Sequence, residues 1–491
     1  MGNSQVVELI QTLSKEERQL VQEFADQHFF NSGKHKHIVK PLLRILLSEK
    51  ESKKKDAFSK EYLYRQLFGE AYKADQRLEK SMSEVHKIVR TTLLCIHYFR
   101  DSNDFFHQYD FLDVIKPRNL EQRFVQTINR LKKHQESALI RNESYFLKQH
   151  LLDYTIFENE CLHNHVKGDL NIPNSVFSLE CYFYLNYLNL TNHYLLQQKV
   201  TKLTPPDDLS NSIDTFSIPK LHYEYSPDIR INYEIFLMLR KTYPEIIDID
   251  FLSNLLKREE PNLDTDSLRK YNTYLRNMCV LYAQLNSNDE QIREILFNLY
   301  KDNLERGYLH FEGKLTPSTY LAVSTAAIRV KQFEWAKNFI ETCKHQIVGE
   351  NEDHDIYKFN VALYLFGVGQ YQKCLETLPL SSPILDYMLQ AKRLELKAYY
   401  ELGSDLLPYK LDAYKMFLSR TSPKILSDQK RQIHTDFLNL LVQLTTSIPG
   451  DTKRAETLIK RIQEKKQAAE WRWLMEKAEE LKNPRLKNKL D

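Results

Sequence analysis

The chain has 491 residues, of which 42% are hydrophobic and 27% are charged, so it is long enough to fold around cores of its own. Its 69 basic and 66 acidic residues leave a net charge of +3, too small for the general attraction that sequence-independent binding to nucleic acid or membranes needs. Only 11 glycines are present, far below the usual share of about 7%, which argues against β-sandwiches, barrels and nucleotide-binding α/β folds. The composition predicts an all-α protein.

The cysteines and the N-terminal residues bear on the compartment. Six cysteines occur in the chain: Cys95, Cys161, Cys181, Cys279, Cys343 and Cys374. They stand singly, without a CxxC motif, which is typical of a reducing compartment. The opening MGNSQVVELI has no cationic stretch followed by an apolar core, so we expect no secretory signal. No apolar run approaches the roughly 20 residues that span a bilayer. These patterns predict a cytoplasmic protein without a membrane partner.

Residues 1–115 are predicted to form a helical N-terminal domain. Ser14 and Glu17 form a capping box, in which each side chain accepts a hydrogen bond from the other's backbone N–H, so a helix begins there. Residues 116–118, Lys-Pro-Arg, mark the end of this domain, because proline disfavours helix at its own position and at the one before. Beyond them, residues 119–200 predict two or three long helices rich in Tyr and Leu.

Within this domain, residues 59–99 form a helix-turn-helix-like element. They predict a short helix, a break at Gly69 and a long helix with an apolar stripe. The stripe consists of Leu78, Met82, Val85 and Val89. Polar side chains on the other faces of the long helix are then candidates for contact with DNA. They are Arg77, Lys80, Ser81, Lys87 and Arg90.

This element resembles the DNA-binding half of bacterial regulators that join a winged helix to tetratricopeptide-like repeats. The resemblance makes a DNA-binding transcriptional regulator the alternative function. Two features argue against it. Glu79 and Glu84 reduce the positive charge of the helix, and no β-hairpin wing is predicted, because the apolar helical pattern continues through Phe99.

Residues 201–228 hold four prolines among Ser and Asp and predict a long inter-domain loop. Residues 229–450 then predict consecutive helix pairs, several of which begin with a polar cap followed by proline. These starts are Thr316-Pro317, Ser382-Pro383 and Ser422-Pro423. Residues 451–482 predict one long amphipathic helix that caps the array.

Two segments within the helix pairs align with each other at one constant offset. Ser324, Phe333, Ala336 and Ile340 match Ala362, Tyr371, Cys374 and Leu378. This pattern of small and aromatic residues resembles the tetratricopeptide repeat, which implies a right-handed α-solenoid of helix pairs. From the capping box through QFEWAKNFIETC, GQYQKCLETL and AYYELGS to the last tryptophan helix, the chain also resembles a family of uncharacterised bacterial helical-repeat proteins. That resemblance implies the same fold and no particular activity.

A solenoid of this kind implies a concave surface, lined by the first helix of each pair, that binds another protein. The candidate partner-binding residues by repeat register are Leu321, Thr325, Ile328, Arg329, Phe359, Leu363 and Phe366. We therefore predict a protein-protein interaction scaffold or adaptor whose partner is unknown, and not an enzyme. A second alternative is an enzyme whose site is assembled from residues distant in sequence.

No local motif of catalysis or cofactor binding is present: the chain has no P-loop, no GxGxxG and no GxSxG. Glu160 and His163 have the spacing found in di-iron bundles, but such sites need a second Glu-x-x-His, which the chain lacks. His28, His35 and His37 lie in a Lys-rich turn that we expect to be solvated. We therefore expect no catalytic residue, no cofactor and no metal.

Overall fold

The structure, a computed structural model, describes residues 5–27, 36–48, 58–73, 76–100, 104–162, 171–201, 207–286, 289–348, 355–379 and 385–482. Over these residues the chain is helical, with no strand and two isolated bridges, Phe311 with Lys314 and Leu315 with Ile347. The all-α prediction is confirmed for this part of the chain. The chain divides into two compact units: Met1–Ala138 with Lys148–Phe177, and Leu139–Leu147 with Ser178–Asp491.

The first unit is built around one long central helix. Its described helices are α1 (Gln5–Gln11), α2 (Lys15–Asp26), α3 (Lys36–Leu47), α4 (Lys60–Phe68), α5 (Arg77–Tyr98), α6 (Phe105–Ile115), α7 (Glu121–Glu136) and parts of α8 (Glu143–Leu162) and α9 (Ile172–Thr201). Helix α5 packs on each of α1 to α4. It buries the predicted stripe of Leu78, Met82, Val85 and Val89. The two predicted helices of residues 59–99 are therefore confirmed, and the second continues to Tyr98.

A further core in the first unit joins α6, α7 and α8 through Phe105, Leu112, Phe124 and Leu152. The predicted domain boundary at residues 116–118 lies inside this unit, where these residues form a 3-10 turn between α6 and α7. The proline does end α6, but α6 and α7 then bury their apolar faces against each other. The long helices predicted for residues 119–200 are α7, α8 and α9.

The second unit is a long succession of helices. Its remaining described helices are α10 (Asp207–Thr215), α11 (Lys220–Tyr225), α12 (Pro227–Arg240), α13 (Ile246–Glu259), α14 (Thr265–Leu285), α15 (Glu290–Glu305), α16 (Pro317–Arg329), α17 (Phe333–Cys343), α18 (Asp355–Gly367), α19 (Tyr371–Thr377), α20 (Leu385–Glu401), α21 (Leu407–Arg420), α22 (Asp428–Thr445), α23 (Thr452–Glu464) and α24 (Trp471–Lys482). From α12 onward, every helix contacts its successor, and contacts also join α12 to α14, α16 to α18, α18 to α20 and α22 to α24. At these four places, alternate helices of the succession also pack on each other.

Close contacts between neighbouring helices stabilise this succession. Tyr320 of α16 is fully buried, and its hydroxyl donates a hydrogen bond of 2.6 Å to the carbonyl of Ile340 in α17. Gly367 ends α18 where a Cβ would approach Ile328 Cγ2 of α16 to 2.7 Å. At this point α16 and α18, which carry the two aligned segments, pack too closely for any residue larger than glycine.

The predicted helix starts have mixed outcomes. The Ser14 capping box is confirmed, with the Glu17 N–H donating to Ser14 Oγ at 3.1 Å and the Ser14 N–H donating to Glu17 Oε2 at 2.8 Å. Thr316 caps α16, whose first residue is Pro317. The start at Ser422-Pro423 is wrong: α22 begins at Asp428 with Ser427 as its cap, after a turn. Ser382-Pro383 lies outside the described residues.

Residues 201–228 do not form the predicted loop, because α10 and α11 lie there and α12 begins at Pro227. Two of the prolines stand at helix starts. Pro219 precedes α11, and Pro227 is the first residue of α12, capped by Ser226. Proline has no N–H to leave unsatisfied at a first helical position. The prolines that led us to expect a loop therefore favour helix initiation here. Residues 202–206 are outside the described part of the chain.

Residues 451–482 form two helices, α23 and α24, and not the single predicted capping helix. The apolar pattern runs on across the break because both helices face one core, which contains Leu458, Ile462 and Leu474. The Trp471 indole N–H donates a 2.7 Å hydrogen bond to the Ile462 carbonyl across the turn. Arg472 therefore stands at the start of a helix, where its side chain reaches a different part of the unit.

Candidate functional site

A cavity of about 480 Å³ lies within the second unit, among α14, α15, α16, α20 and α24. Helix α16 contributes one continuous face, since Ser318, Leu321, Thr325 and Arg329 recur at helical spacing. Much of the remaining wall is apolar or aromatic: Val280, Leu296, Tyr300, Ala322 and Tyr387. The volume is within the range of about 300 to 1,000 Å³ that is usual for ligand sites.

Three arginines line this cavity from three different helices. Arg293 belongs to α15, Arg329 is the last residue of α16, and Arg472 is near the start of α24. Arg472 is held in place by its Nη2, which donates a 2.6 Å hydrogen bond to the carbonyl of Ala283 in α14. Three guanidinium groups from distant parts of the chain are therefore brought to one concavity, which we call the arginine cavity.

The surroundings disfavour the charge on these groups. Burial lowers the pKa of Arg472 to about 10, and the charges of Arg293 and Arg329 contribute to this shift. Burial also lowers the pKa of Arg329, where Glu470 opposes the shift and Arg293 adds to it. The Arg329 side chain is nevertheless exposed to solvent at the wall of the cavity. Because arginine stays protonated at neutral pH, the cavity is positively charged.

A fourth arginine lies behind the wall. Arg276 is buried, and its guanidinium carbon is 5.6 Å from the ring centroid of Tyr300, which lines the cavity. Arg276 donates hydrogen bonds to Asn303 Oδ1 and, at 2.9 Å, to Thr273 Oγ1. Both acceptors are neutral side chains. Burial lowers the pKa of Arg276. Its charge adds to the positive potential on this side of the cavity.

The acidic side chains beside the cavity form ion pairs with cations other than the three arginines. Glu470 accepts hydrogen bonds from Arg393 Nε at 3.1 Å and from Lys397 Nζ at 2.7 Å. Burial opposes the ionisation of Glu470, but Lys397 and Arg393 outweigh it and hold the pKa of this carboxyl well below its usual value. Asp386, which lines the cavity, pairs with Lys430 at 3.1 Å. Among the described residues that line the cavity, three are arginines and one, Asp386, is acidic, which favours an anionic ligand.

A second cavity, of about 430 Å³, lies among α13, α14 and α15 and has a different character. Its Arg306 pairs with Asp302 at 2.8 Å and also with Glu260, and all three residues line the cavity. Since these charges are matched, this cavity has no comparable preference for an anion.

The predicted partner-binding residues are divided by the structure. Leu321, Thr325 and Arg329 line the arginine cavity. Ile328, Phe359, Leu363 and Phe366 do not, and they pack within the hydrophobic clusters of the second unit. Phe359 is only 3% exposed, so its selection for a partner surface was wrong: its face of α18 turns into the core.

The predicted DNA-binding residues are also divided. Lys80, Lys87 and Arg90 are exposed along one stripe of α5. Arg77 instead packs 4.4 Å from the ring centroid of Phe68 and donates to the Tyr64 hydroxyl. Ser81, which was expected on an outer face, is buried and donates to the carbonyl of Arg77 at 2.9 Å.

Within the described ranges, no group of three or more His, Cys, Asp or Glu side chains is placed to hold a metal ion. His37 is exposed, whereas His28, His35 and His163 lie outside those ranges. All six cysteines are described, and all are free thiols.

Sequence reasoning selected Arg329 but missed Arg293 and Arg472. No motif connects these two arginines, because their meeting depends on the path of the helices between them.

Comparison of the chain with family models, with curated proteins and with solved structures gave no match. Among the helices that the structure describes, none combines the length and apolarity needed to cross a membrane.

Proposed function

We propose that this chain is a protein-protein interaction scaffold or adaptor that works without catalysing a reaction. Its second unit is a tetratricopeptide-like, right-handed helical-repeat solenoid, and it holds a protein partner by an acidic group that enters the arginine cavity. The observation that carries the proposal is the convergence of Arg293, Arg329 and Arg472 on one cavity that has one acidic residue, Asp386, among its described lining residues.

Three further observations support the proposal. Contacts between alternate helices, such as α16 with α18 and α18 with α20, suit a stack of repeats. The cavity face of α16 is the face that repeat register assigns to a partner. The free thiols suit a reducing compartment, so we place the protein in the cytoplasm.

Affinity capture with matched variants tests this function. The tagged chain is captured from its native host with and without nuclease, beside Arg329→Glu and a control, Arg420→Glu, at an exposed arginine of α21. We expect a stoichiometric protein partner that survives nuclease, is lost with Arg329→Glu and is kept with Arg420→Glu. A partner that both variants retain would show that the cavity is not its binding site.

A second candidate function, DNA binding by the first unit, is favoured by the exposure of Lys80, Lys87 and Arg90 along α5. Cations on one exposed helix stripe suit contact with phosphates. If this function holds, duplex DNA should bind with a steep salt dependence that a Lys80→Ala, Lys87→Ala, Arg90→Ala triple variant reduces. Equal salt slopes for the variant and the wild type would reject it.

A further inference from the structure

We propose that the arginine cavity recognises a phosphate monoester: a dianionic phosphoryl group carried on an apolar or aromatic body. This inference rests on the proposed function, and it names the chemistry of the group that enters the cavity. The phosphoryl group has two possible sources, a phosphorylated side chain of the partner or a free small molecule, which binding experiments can separate.

The number and type of the cations favour phosphate. A guanidinium presents a planar fork of N–H donors that matches two oxygens of a carboxylate or a phosphate. Arg293, Arg329 and Arg472 all line one cavity, although Nη2 of Arg472 also donates to the Ala283 carbonyl. One carboxylate offers two oxygens and a single charge, whereas a phosphate monoester offers three terminal oxygens and a charge of about −1.5 to −2 at neutral pH.

The mutual repulsion of the arginines points the same way. Arg472 and Arg329 each have a pKa lowered by burial and by neighbouring guanidinium charge. A dianion that bridges these groups relieves more of this repulsion than a monoanion does. Glu470 offsets the charge only partly, because Arg393 and Lys397 share it.

The rest of the wall suits the body that carries the phosphate. Tyr300 and Tyr387 present aromatic surface, and Val280, Leu296 and Leu321 present aliphatic surface. Ser318, Thr325 and Gln390 add neutral hydrogen-bonding groups. A volume of about 480 Å³ accommodates a single side chain with its flanks or one small molecule, and it is too small for a folded segment.

Calorimetric titration of the full chain with phenyl phosphate and phenyl sulfate tests the inference. The two probes share a shape, but the sulfate carries a single charge. We expect phenyl phosphate to bind at least about tenfold more tightly at about pH 7.5. This advantage should shrink at about pH 5, where the phosphate, with a second pKa near 6, becomes a monoanion. Equal affinities for the two probes, or no binding of phenyl phosphate, would overturn the inference.

Variants connect the binding to the cavity. Arg329→Gln should weaken phenyl phosphate about tenfold or more, Arg329→Lys should weaken it less because charge is kept, and Arg420→Gln should leave it unchanged. Among the described residues, Glu470 is the one whose charge favours that of Arg329, and Glu470 keeps its ion pairs with Arg393 and Lys397 when Arg329 is changed. We therefore expect these variants to fold. Circular dichroism and the thermal midpoint check this. Unchanged affinity in folded Arg329→Gln refutes the assignment.

Two further probes identify the source of the phosphate. A short neutral peptide carrying one phosphotyrosine is titrated beside its unphosphorylated form and beside inorganic phosphate. A phosphopeptide that binds more tightly than phenyl phosphate assigns the site to a modified partner. The reverse order assigns it to a free small molecule. If partner capture depends on Arg329 while no phosphate binds, the proposed function stands and this inference fails; if phosphate binds and capture ignores Arg329, the proposed function fails.

Discussion

Arg472 Nη2 donates a hydrogen bond of 2.6 Å to the carbonyl oxygen of Ala283, and this contact joins α24 to the end of α14. The contact fixes a guanidinium from the last described helix on a cavity whose other arginines come from α15 and α16. Because the donor is a charged guanidinium, removal of this hydrogen bond should cost about 1.5 to 3 kcal/mol. The contact also fixes the position of this charge at the cavity.

The buried hydroxyl of Tyr320 should contribute to stability. It donates to the Ile340 carbonyl at 2.6 Å, and the ring is fully buried. Tyr320→Phe leaves that carbonyl without its partner, which should lower the free energy of unfolding by about 1 to 2 kcal/mol. Urea denaturation measures the change. Tyr409→Phe is the control, since Tyr409 is 74% exposed and its change should have no measurable effect.

Gly367 should tolerate no side chain. A Cβ there would lie 2.7 Å from Ile328 Cγ2, and this methyl group is attached directly to a branched Cβ that has little freedom to move. Gly367→Ala should therefore destabilise the second unit by about 1 to 3 kcal/mol. Ile328→Ala removes the clashing methyl. In a double-mutant cycle the two changes together should cost less than their sum, and simple additivity would contradict this explanation.

The carboxylate of Glu470 should stabilise the start of α24. It accepts hydrogen bonds from Arg393 and Lys397, both of which are largely buried. Glu470→Gln leaves two cations without their counter-ion and should lower the free energy of unfolding by about 3 kcal/mol. Glu456→Gln, at a mostly exposed pair with Lys482, should lower the free energy of unfolding far less, because solvent screens that pair. Equal losses would show that burial does not strengthen the Glu470 interaction.

His434 should make the second unit sensitive to acid. Burial lowers the pKa of His434 to about 4, and the charge of Arg393 adds to this effect. The unfolded chain takes up the proton near pH 6.5 and the folded chain only near pH 4, so stability is greatest above that window and falls as the pH drops through it. We expect a loss of about 2 kcal/mol between about pH 7.5 and about pH 5.

The measurement for His434 is denaturant unfolding at both pH values for the wild type and for His434→Gln. The variant lacks the titrating imidazole, so its stability should change less between the two conditions. A variant that loses as much stability as the wild type would assign the acid sensitivity to other groups.

Much of the local structure follows from short-range signals. The Ser14 capping box, the Thr316-Pro317 start and the apolar stripe of α5 each depend on neighbours within one or two helical turns, and each is present as predicted. The predictions failed where one local signal has two outcomes. Prolines in residues 201–228 start helices there, and the apolar period of residues 451–482 runs through a turn.

The sequence by itself determined an all-α chain, because scarce glycine and apolar residues at helical spacing leave few other ways to bury the core. It also placed Leu321, Thr325 and Arg329 on one face of α16. Only the tertiary structure decided that Arg293 and Arg472 join Arg329, since their approach depends on the summed packing of every helix from α15 to α24. Periodicity reports which face of a helix is buried, but it carries no information on which distant helix lies opposite.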